Sequence, residues 1–276
     1  MAGRIAFQGE LGAYSHQACR EARPLMKAVP CATFEEVIAR TRSGDVELGM
    51  LAVENSTYGR VADVHRLLPQ SGLHIVAEAF VRVHINLLAV KGTKLNQVRR
   101  VRCMSILLGQ CGTFLKDNNL ATLNWTDNAA AARDVAALGD PAEAALASEL
   151  AAEIYGLDVL ARQIEDQSNN TTRFLVMSPA PDHRRRADDM ITTLTFRVRN
   201  IPAALYKAMG GFATNGVNMT KLESYMVGGS FTATAFYADI EGHPDDAPVQ
   251  RALEELAYFT TEIQILGVYA ADRRRG

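Results

Sequence analysis

The sequence lacks the features that identify several large protein classes. Only four of its 276 residues are cysteines, and none of them forms a C-x-x-C pair or lies at zinc-finger spacing from a histidine. The six histidines show no H-x-x-x-H spacing, so we expect no metal site. We interpret the four cysteines as free thiols. No apolar run approaches the roughly 20 residues of a membrane span, and residues 1–12 contain no signal-peptide core. We therefore expect a cytoplasmic protein without a membrane partner.

An excess of charge of either sign is also missing. The chain has 29 basic and 31 acidic residues, a formal net charge of −2. Nucleic-acid-binding domains usually carry a basic excess, so we expect no nucleic-acid partner. Hydrophobic residues make up 48% and charged residues 22%, which indicates a folded chain rather than a disordered one. At roughly 100–200 residues per domain, the length predicts about two domains.

The first part of the chain alternates short apolar runs with helical patterns. Arg4–Gln8 and Glu47–Val53 are typical of buried strands, and Thr33–Glu36 is a capping box that opens a helix. Apolar residues recur at every second position over Leu73–Val90, which predicts a long strand or a strand pair crossing between lobes. This order predicts two α/β lobes with a ligand cleft between them.

The second part follows a different pattern. Residues Ser178–Asp189 are rich in proline and charge and have no periodicity, which is typical of a linker. Beyond it, strand and helix patterns follow the order βαββαβ, the ferredoxin-like split unit. We predict a first domain over residues 1–178, a linker over residues 179–190 and a second domain over residues 191–276.

Two polar motifs lie next to predicted strands of the first part. Gly9–Ser15 joins a strand to a helix, where backbone N–H groups can hold an anion; an ordinary turn is the alternative. Glu54–Gly59 directly follows a buried strand, a position where α/β sheets bind ligands; helix capping is the alternative.

Two further motifs carry amide, hydroxyl and guanidinium groups. Gln110 and Cys111 lie in a helix predicted over Ser105–Lys116, where the glutamine points either into a cleft or into solvent. The segment Asn169–Phe174 offers a guanidinium suited to carboxylate binding and hydroxyls that can donate to a leaving oxygen. A polar loop capping a strand is the alternative for this segment.

In this order the motifs G-x-x-G-x-Y-S, E-N-S-x-x-G, Q-C and N-x-T-R-F resemble those of the prephenate dehydratase family. The C-terminal part resembles its ACT regulatory domain in Pro202–Lys207, Asn218–Ser224 and Phe236–His243. The resemblance covers nearly the whole chain, and with no chorismate mutase segment ahead of Met1 we expect the monofunctional form. It implies an α/β fold: a two-lobed, periplasmic-binding-protein-like catalytic domain followed by a ferredoxin-like βαββαβ ACT domain.

The resemblance also implies a reaction, a carbon–oxygen lyase step of phenylalanine biosynthesis. Prephenate loses carbon dioxide and water to give phenylpyruvate, driven by aromatisation and without a cofactor. Thr172 corresponds to the family's essential threonine and would hydrogen-bond the departing oxygen, with Asn55 and Gln110 as active-site amides. Arg173 is the candidate partner of a substrate carboxylate. The expected substrate-binding residues are Arg173, Glu54, Ser56, Gly12, Tyr14, Ser15, Cys103 and Phe174.

Regulation by L-phenylalanine is implied as well. In the family this effector binds between ACT subunits, so we expect a homodimer or homotetramer. The corresponding effector-binding residues are Ala203, Ala204, Leu205, Asn218, Glu223 and Ser224.

Two departures from the family pattern keep alternatives open. Cys103–Ile106 stands where many members have Ser-His-Pro-Gln, and Glu223–Met226 stands where many have Glu-Ser-Arg-Pro. The first departure favours a non-catalytic amino-acid sensor, whereas the intact Thr172, Asn55 and Gln110 favour an enzyme. Arogenate dehydratase, which performs the same chemistry on the amino analogue, is the other alternative.

Overall fold

The structure is a computed structural model that describes residues 3–226 and 233–275. The first elements are, in chain order, β1 (Arg4–Gln8), α1 (Tyr14–Ala22), β2 (Lys27–Cys31), α2 (Phe34–Arg42), β3 (Leu48–Asn55), β4 (Gly59–Arg60), α3 (Ala62–Leu67), β5 (His74–Arg82) and β6 (Asn86–Ala89). They continue with β7 (Arg100–Cys103), α4 (Ser105–Gln110), α5 (Gly112–Asp117), β8 (Ala121–Asn124), α6 (Asn128–Leu138), β9 (Glu143–Ala147), α7 (Glu149–Tyr155), β10 (Asp158–Ala161) and β11 (Thr171–Ser178). The C-terminal elements are β12 (Met190–Val198), α8 (Ala204–Thr214), β13 (Met219–Met226), β14 (Ala233–Glu241), α9 (Ala247–Phe259) and β15 (Thr260–Ala270).

The chain divides into two compact units. The first contains Met1–Arg40, Val46–Val61 and Ala79–Phe174, and the second contains the remaining segments Thr41–Asp45, Ala62–Glu78 and Leu175–Gly276. The predicted domain boundaries at residues 178 and 190 stay a prediction.

The first unit consists of two lobes. In the first lobe β1 pairs in parallel with β2 and β3, and β11 lies next to β3. The second lobe is a five-stranded sheet in the order β10-β6-β9-β7-β8. Its core is built from the apolar residues of these strands and of the helices that pack on them. Because β1 and β3 are parallel, their carboxyl ends, which carry the glycine loop and Glu54–Asn55, lie at the same edge of the sheet.

The second unit contains the βαββαβ fold. Its strands pair antiparallel in the order β13-β14-β12-β15, and α8 and α9 share one apolar core with them. Gly267 of β15 pairs with Ile75 of β5, and a Cβ there would lie 2.2 Å from the Ile75 carbonyl oxygen. Arg275 donates to the fully buried carboxylates of Glu78, at 3.0 Å, and Asp239, at 3.1 Å.

The predicted α/β fold class is confirmed by this architecture and by the βαββαβ order. The Leu73–Val90 pattern corresponds to the strand pair β5 and β6, and Thr33 and Glu36 form the expected capping contacts. The single helix expected over Ser105–Lys116 is wrong, because Cys111 leaves the helical region at ψ 23° and separates α4 from α5. The sequence pattern predicts the third strand of the βαββαβ unit over Phe231–Ile240; within the described residues this strand, β14, begins at Ala233, and Phe231 lies outside them.

The sequence patterns predict none of four strands, namely β2, β4, β7 and β10. The segment Lys27–Cys31 contains Pro30 and shows little apolar alternation, which fits β2 being the last strand in its sheet's order. The partly buried β10 is four residues long and has no fully buried position. In the part of the chain that is described, no helix combines the length and hydrophobicity needed to cross a bilayer.

Candidate active site

Asn55 joins the carboxyl end of β3 to the start of β11. Its Nδ2 donates to Asn170 Oδ1 at 2.7 Å and to Thr172 Oγ1 at 3.0 Å. Its Oδ1 accepts from the backbone N–H of Thr57 at 2.9 Å and of Tyr58 at 3.1 Å. An asparagine amide has two donor hydrogens and two acceptor lone pairs, so Asn55 is fully occupied by the protein. Its geometry is that of a residue that positions Thr172.

This arrangement determines the direction of the Thr172 proton. Because Thr172 Oγ1 accepts from Asn55 Nδ2, its own hydrogen is left to donate in another direction. Reversing the Asn55 amide would place two oxygens 2.7 Å apart at Asn170 and a nitrogen against two N–H groups. The partly exposed threonine is therefore held as a hydrogen-bond donor.

Ser56 fastens the same two segments through the backbone. Its hydroxyl donates to the Asn169 carbonyl at 2.7 Å and accepts from the Thr171 N–H at 2.9 Å. The Ser56 N–H donates in turn to the Thr171 carbonyl at 2.9 Å. Three bonds of one residue thus fix the register of the E-N-S motif against the N-x-T-R-F motif.

Arg173 and Phe174 are directed into the protein. Arg173 Nη1 donates to Glu54 Oε1 at 2.9 Å, and the arginine side chain is 4% exposed against 26% for the glutamate. Phe174 is fully buried in the core. The structure therefore gives Arg173 a protein carboxylate as one partner, and its contact with a substrate carboxylate stays a prediction.

Arg82, at the end of β5, contacts this cluster and was not among the predicted residues. Its Nη1 donates to the Asn170 carbonyl at 3.1 Å, and the Val83 N–H donates to the same oxygen at 2.9 Å. Within the described residues this is the only bond of the partly exposed Arg82 guanidinium. The available signal was weak, because Arg82 occupies an ordinary polar position between Val81 and Val83 in the alternating strand pattern.

The glycine loop is shaped by close contacts with the second lobe. Gly12 has φ +94°, and a Cβ there would lie 2.8 Å from Ala151 Cα, so glycine is required on both counts. The Gly12 carbonyl accepts from Ser148 Oγ at 2.5 Å, while its N–H donates to His16 Nδ1 at 3.0 Å. Since the Gly12 N–H is occupied, the first-turn N–H groups of α1, at Tyr14 and Ser15, are the better anion donors.

The Tyr14 side chain connects α1 to the crossing between the lobes. Its hydroxyl donates to the His84 carbonyl at 2.9 Å, and burial raises its pKa. Glu165 fixes the same crossing, with Oε1 3.2 Å from His84 Nδ1 and Oε2 accepting from the Ile85 N–H at 2.9 Å. Tyr14 is thus a neutral phenol that holds the lobes together.

Gln110 and Cys103 belong to the second lobe. Gln110, the last residue of α4, is buried, and its Oε1 has no hydrogen-bond partner among the described residues. Leaving a buried acceptor without a donor costs about 1–3 kcal/mol, which a ligand donor would recover. Cys103 is fully buried, and burial raises its pKa to about 12. It is therefore a packed thiol.

The other three cysteines share this environment. Cys19, Cys31 and Cys111 are also buried and free. Burial raises the pKa of Cys19 to about 12 and raises the pKa values of Cys31 and Cys111 above their ordinary range. All four are protonated at neutral pH.

The predicted effector residues lie in the second unit. Ala203 precedes α8 with φ +60°, and Ala204 and Leu205 form its first turn. Exposed Asn218 accepts at its backbone carbonyl from the Glu241 N–H at 3.0 Å. Glu223 and Ser224 lie on β13, the last strand in the order of this sheet.

Comparison with known proteins decides the family. The family model described as prephenate dehydratase matches residues 5–182. The chain belongs to the prephenate dehydratase family. The chain is an enzyme of this type.

Individual members of the prephenate dehydratase family are similar over almost the whole chain. A bifunctional N-acyl-homoserine lactone acylase/prephenate dehydratase of Komagataeibacter europaeus is 49% identical, over 97% of this chain and 95% of that protein. Arogenate dehydratase/prephenate dehydratase 1 of Arabidopsis thaliana is 36% identical, over 98% of this chain and 72% of that protein. The crystal structure of the Arthrobacter aurescens prephenate dehydratase in complex with L-Phe matches with a TM-score of 0.88 at 28% identity, over 97% of this chain and 90% of that one.

Proposed function

We propose that this enzyme converts prephenate to phenylpyruvate, with Thr172 as hydrogen-bond donor to the departing hydroxyl. The bond from Asn55 Nδ2 to Thr172 Oγ1 carries the proposal, because it leaves the threonine hydrogen for the substrate. The bond between the ring and its carboxylate breaks, and its electron pair enters the ring. The ring carboxylate leaves as carbon dioxide, the C–O bond breaks at the opposite ring carbon, and the oxygen leaves as hydroxide, which takes up a proton from solvent to become water.

Thr172 acts through a hydrogen bond rather than through full proton transfer. An alcohol is a weak acid, but a donor held in place stabilises negative charge as it develops on the oxygen. The side chain of Asn55 does not have to reorient during the reaction, because its four hydrogen bonds are already formed.

Gln110 is the proposed hydrogen-bond acceptor for the same ring hydroxyl of the substrate. The ring hydroxyl is both an acceptor and a donor: it accepts from Thr172 and offers its hydrogen to Gln110 Oε1. The buried Gln110 oxygen, without a partner among the described residues, supports this role.

Arg82 and the first turn of α1 are the proposed partners of the two substrate carboxylates. Arg82 uses one of its five donor N–H groups on Asn170, and a guanidinium fork matches a carboxylate. Arg82→Lys should raise KM for prephenate by about tenfold, since a forked donor becomes a point charge. An unchanged KM would remove Arg82 from the substrate contacts.

The test of the function is a pair of variants at one position. Thr172→Ala should lower kcat for phenylpyruvate formation by about 10²–10⁴-fold, the usual contribution of a positioned donor. Thr172→Ser keeps the hydroxyl and should retain much of the activity. A folded alanine variant with the wild-type rate would refute the role of Thr172, and a wild-type enzyme without turnover would refute the function.

Arogenate is the alternative substrate, supported by the Arabidopsis relative whose name includes both activities. It differs from prephenate in an amino group in place of the side-chain keto oxygen. The kcat/KM values of wild type for the two substrates, measured in competition, decide between them.

A second candidate activity comes from the Komagataeibacter relative, whose name includes an N-acyl-homoserine lactone acylase. The identity of 49% over 97% of this chain supports testing it. The buried, protonated cysteines argue against a thiolate nucleophile. Release of homoserine lactone from an N-acyl-homoserine lactone, in wild type and in Thr172→Ala, would detect the activity and show whether it depends on the same residue.

We also propose a catalytic domain over residues 1–178, a linker over residues 179–190 and a phenylalanine-binding ACT domain over residues 191–276, in a dimer or tetramer. The βαββαβ fold of the second unit and the L-Phe complex of the Arthrobacter relative support this proposal. Size-exclusion chromatography with light scattering gives the oligomeric state.

A further inference from the structure

Tyr58 makes a contact that no part of the proposed reaction uses. Its hydroxyl donates to the backbone carbonyl of Ile106 at 2.9 Å. Tyr58 lies in the turn between β3 and β4 of the first lobe, and Ile106 lies in α4 of the second lobe. The hydrogen bond therefore joins the two lobes of the first unit.

Each end of this bond leads to a residue of the candidate active site. On the first lobe, the Tyr58 N–H donates to Asn55 Oδ1 at 3.1 Å, so the same asparagine positions Tyr58 and Thr172. On the second lobe, the Ile106 carbonyl is the one to which helical geometry directs the Gln110 N–H. Tyr58 thus connects the donor and the acceptor proposed for the substrate hydroxyl.

The phenol rests on the surface of α4 over one helical turn. A Cβ on Gly109 would lie 3.6 Å from Tyr58 Oη, which is an ordinary contact distance. Ile106 and Gly109 are three residues apart and share one helix face. The side chain therefore fits the helix without strain.

The position of the bond makes it weak and reversible. Tyr58 is 45% exposed and Ile106 is 39% exposed, so water competes for both partners. A neutral hydrogen bond of this kind changes an equilibrium by about two- to tenfold. A contact of that strength can close during binding and open again for product release.

We infer that Tyr58 is a positioning residue whose hydroxyl latches the first lobe to α4 and so holds the active site closed over the substrate. The inference rests on the proposed function, because it assigns the latch to the site of Thr172 and Gln110. It predicts that the hydroxyl contributes to substrate retention and leaves the chemical step almost untouched.

The experiment is Tyr58→Phe, which removes one oxygen and keeps the ring on the helix. KM for prephenate should rise about three- to tenfold, with kcat within twofold of wild type. Tyr258→Phe, at a highly exposed tyrosine of the second unit, is the matched control and should leave both constants unchanged. A wild-type KM in Tyr58→Phe would overturn the inference, and so would a fall in kcat at constant KM.

A second measurement does not depend on turnover. Amide hydrogen exchange in the segment 55–61 should be about three- to tenfold faster in Tyr58→Phe, while exchange in α1 stays the same. Unchanged exchange in that segment would overturn the latch. If wild type fails to convert prephenate, the proposed function fails, and the exchange result still decides whether the latch exists.

Discussion

Arg173 and Glu54 form an ion pair whose two partners differ in burial: the cation is almost fully buried, whereas a quarter of the anion is exposed. This asymmetry predicts unequal costs of removing either partner. Glu54→Leu leaves a buried cation without this counterion and should lower the free energy of unfolding by about 3–5 kcal/mol. Arg173→Met leaves a carboxylate that water reaches, and should cost about 1–3 kcal/mol. Urea unfolding followed by fluorescence of Trp125, the single tryptophan, gives both values. Equal costs, or a larger cost for Arg173→Met, would contradict this account.

Asn55→Asp should abolish the orientation of the Thr172 proton while preserving the shape of the side chain. A carboxylate oxygen would replace Nδ2 at 2.7 Å from Asn170 Oδ1 and 3.0 Å from Thr172 Oγ1. The threonine would then donate to the carboxylate instead of the substrate. We expect kcat to fall by about 10²-fold. Asn124→Asp, an exposed site at the end of β8, controls for the added charge. Wild-type kcat in Asn55→Asp would show that Thr172 is oriented by another group.

His16 makes the glycine loop sensitive to acid. Its Nδ1 accepts from the Gly12 N–H, and its ring stacks on Phe7 with centroids 5.3 Å apart. Burial, helped by the charge of Arg20 and opposed by Glu153, lowers its pKa from 6.5. A lowered pKa favours the neutral form in the folded state, so its contribution to stability is complete above pH 6.5 and is lost as the pH falls through the lowered value.

The pH dependence of Tm tests this contribution. His16→Asn keeps an acceptor for the Gly12 N–H but does not titrate, so its Tm should fall less steeply than that of wild type below pH 6.5. Both proteins share every other titrating group, so the difference in slope reports on His16. Parallel curves from pH 7 to pH 5 would show that His16 plays no part.

Phenylalanine should inhibit this enzyme more weakly than family members with Glu-Ser-Arg-Pro. Tyr225 and Met226 replace Arg-Pro, which removes a cation and a backbone constraint, and ordering a freer segment on binding costs affinity. Met226 is exposed at the end of β13, and Gly228 and Gly229, which follow it, lie outside the described residues. A double variant, Tyr225→Arg with Met226→Pro, should be inhibited at lower phenylalanine concentrations than wild type. Absence of phenylalanine binding to wild type in calorimetry would contradict the proposal and indicate another effector.

The fold could be predicted from the sequence wherever one local signal dominated. The capping box at Thr33–Glu36 and the apolar alternation over Leu73–Val90 each specify their element without tertiary help. β2 could not be predicted, because its Pro30 is unfavourable in a strand and its stability comes from pairing with β1. The break at Cys111 is flanked by Gly109 and Gly112, and the prediction of one helix gave more weight to the apolar residues on both sides than to these glycines.

The site was predictable as a set of positions and not as a set of roles. Motif order identified Asn55, Thr172 and Arg173, which the structure brings together at two neighbouring strands. It could not reveal that Arg173 is paired with Glu54, because that bond joins residues 119 positions apart. Arg82 lies outside every motif and Tyr58 occupies a variable position of E-N-S-x-x-G, and their contacts with Asn170 and Ile106 exist only in the folded chain.

The burial of all four cysteines gives this protein a built-in reporter of unfolding. A maleimide or an aromatic disulfide attacks thiolates, and protonated thiols inside a packed core offer it none. The native enzyme should consume almost no reagent, whereas each unfolded molecule consumes four equivalents. Because the native cysteines do not react, a single cysteine introduced at exposed Thr57 would be a specific attachment point for a dye next to Tyr58.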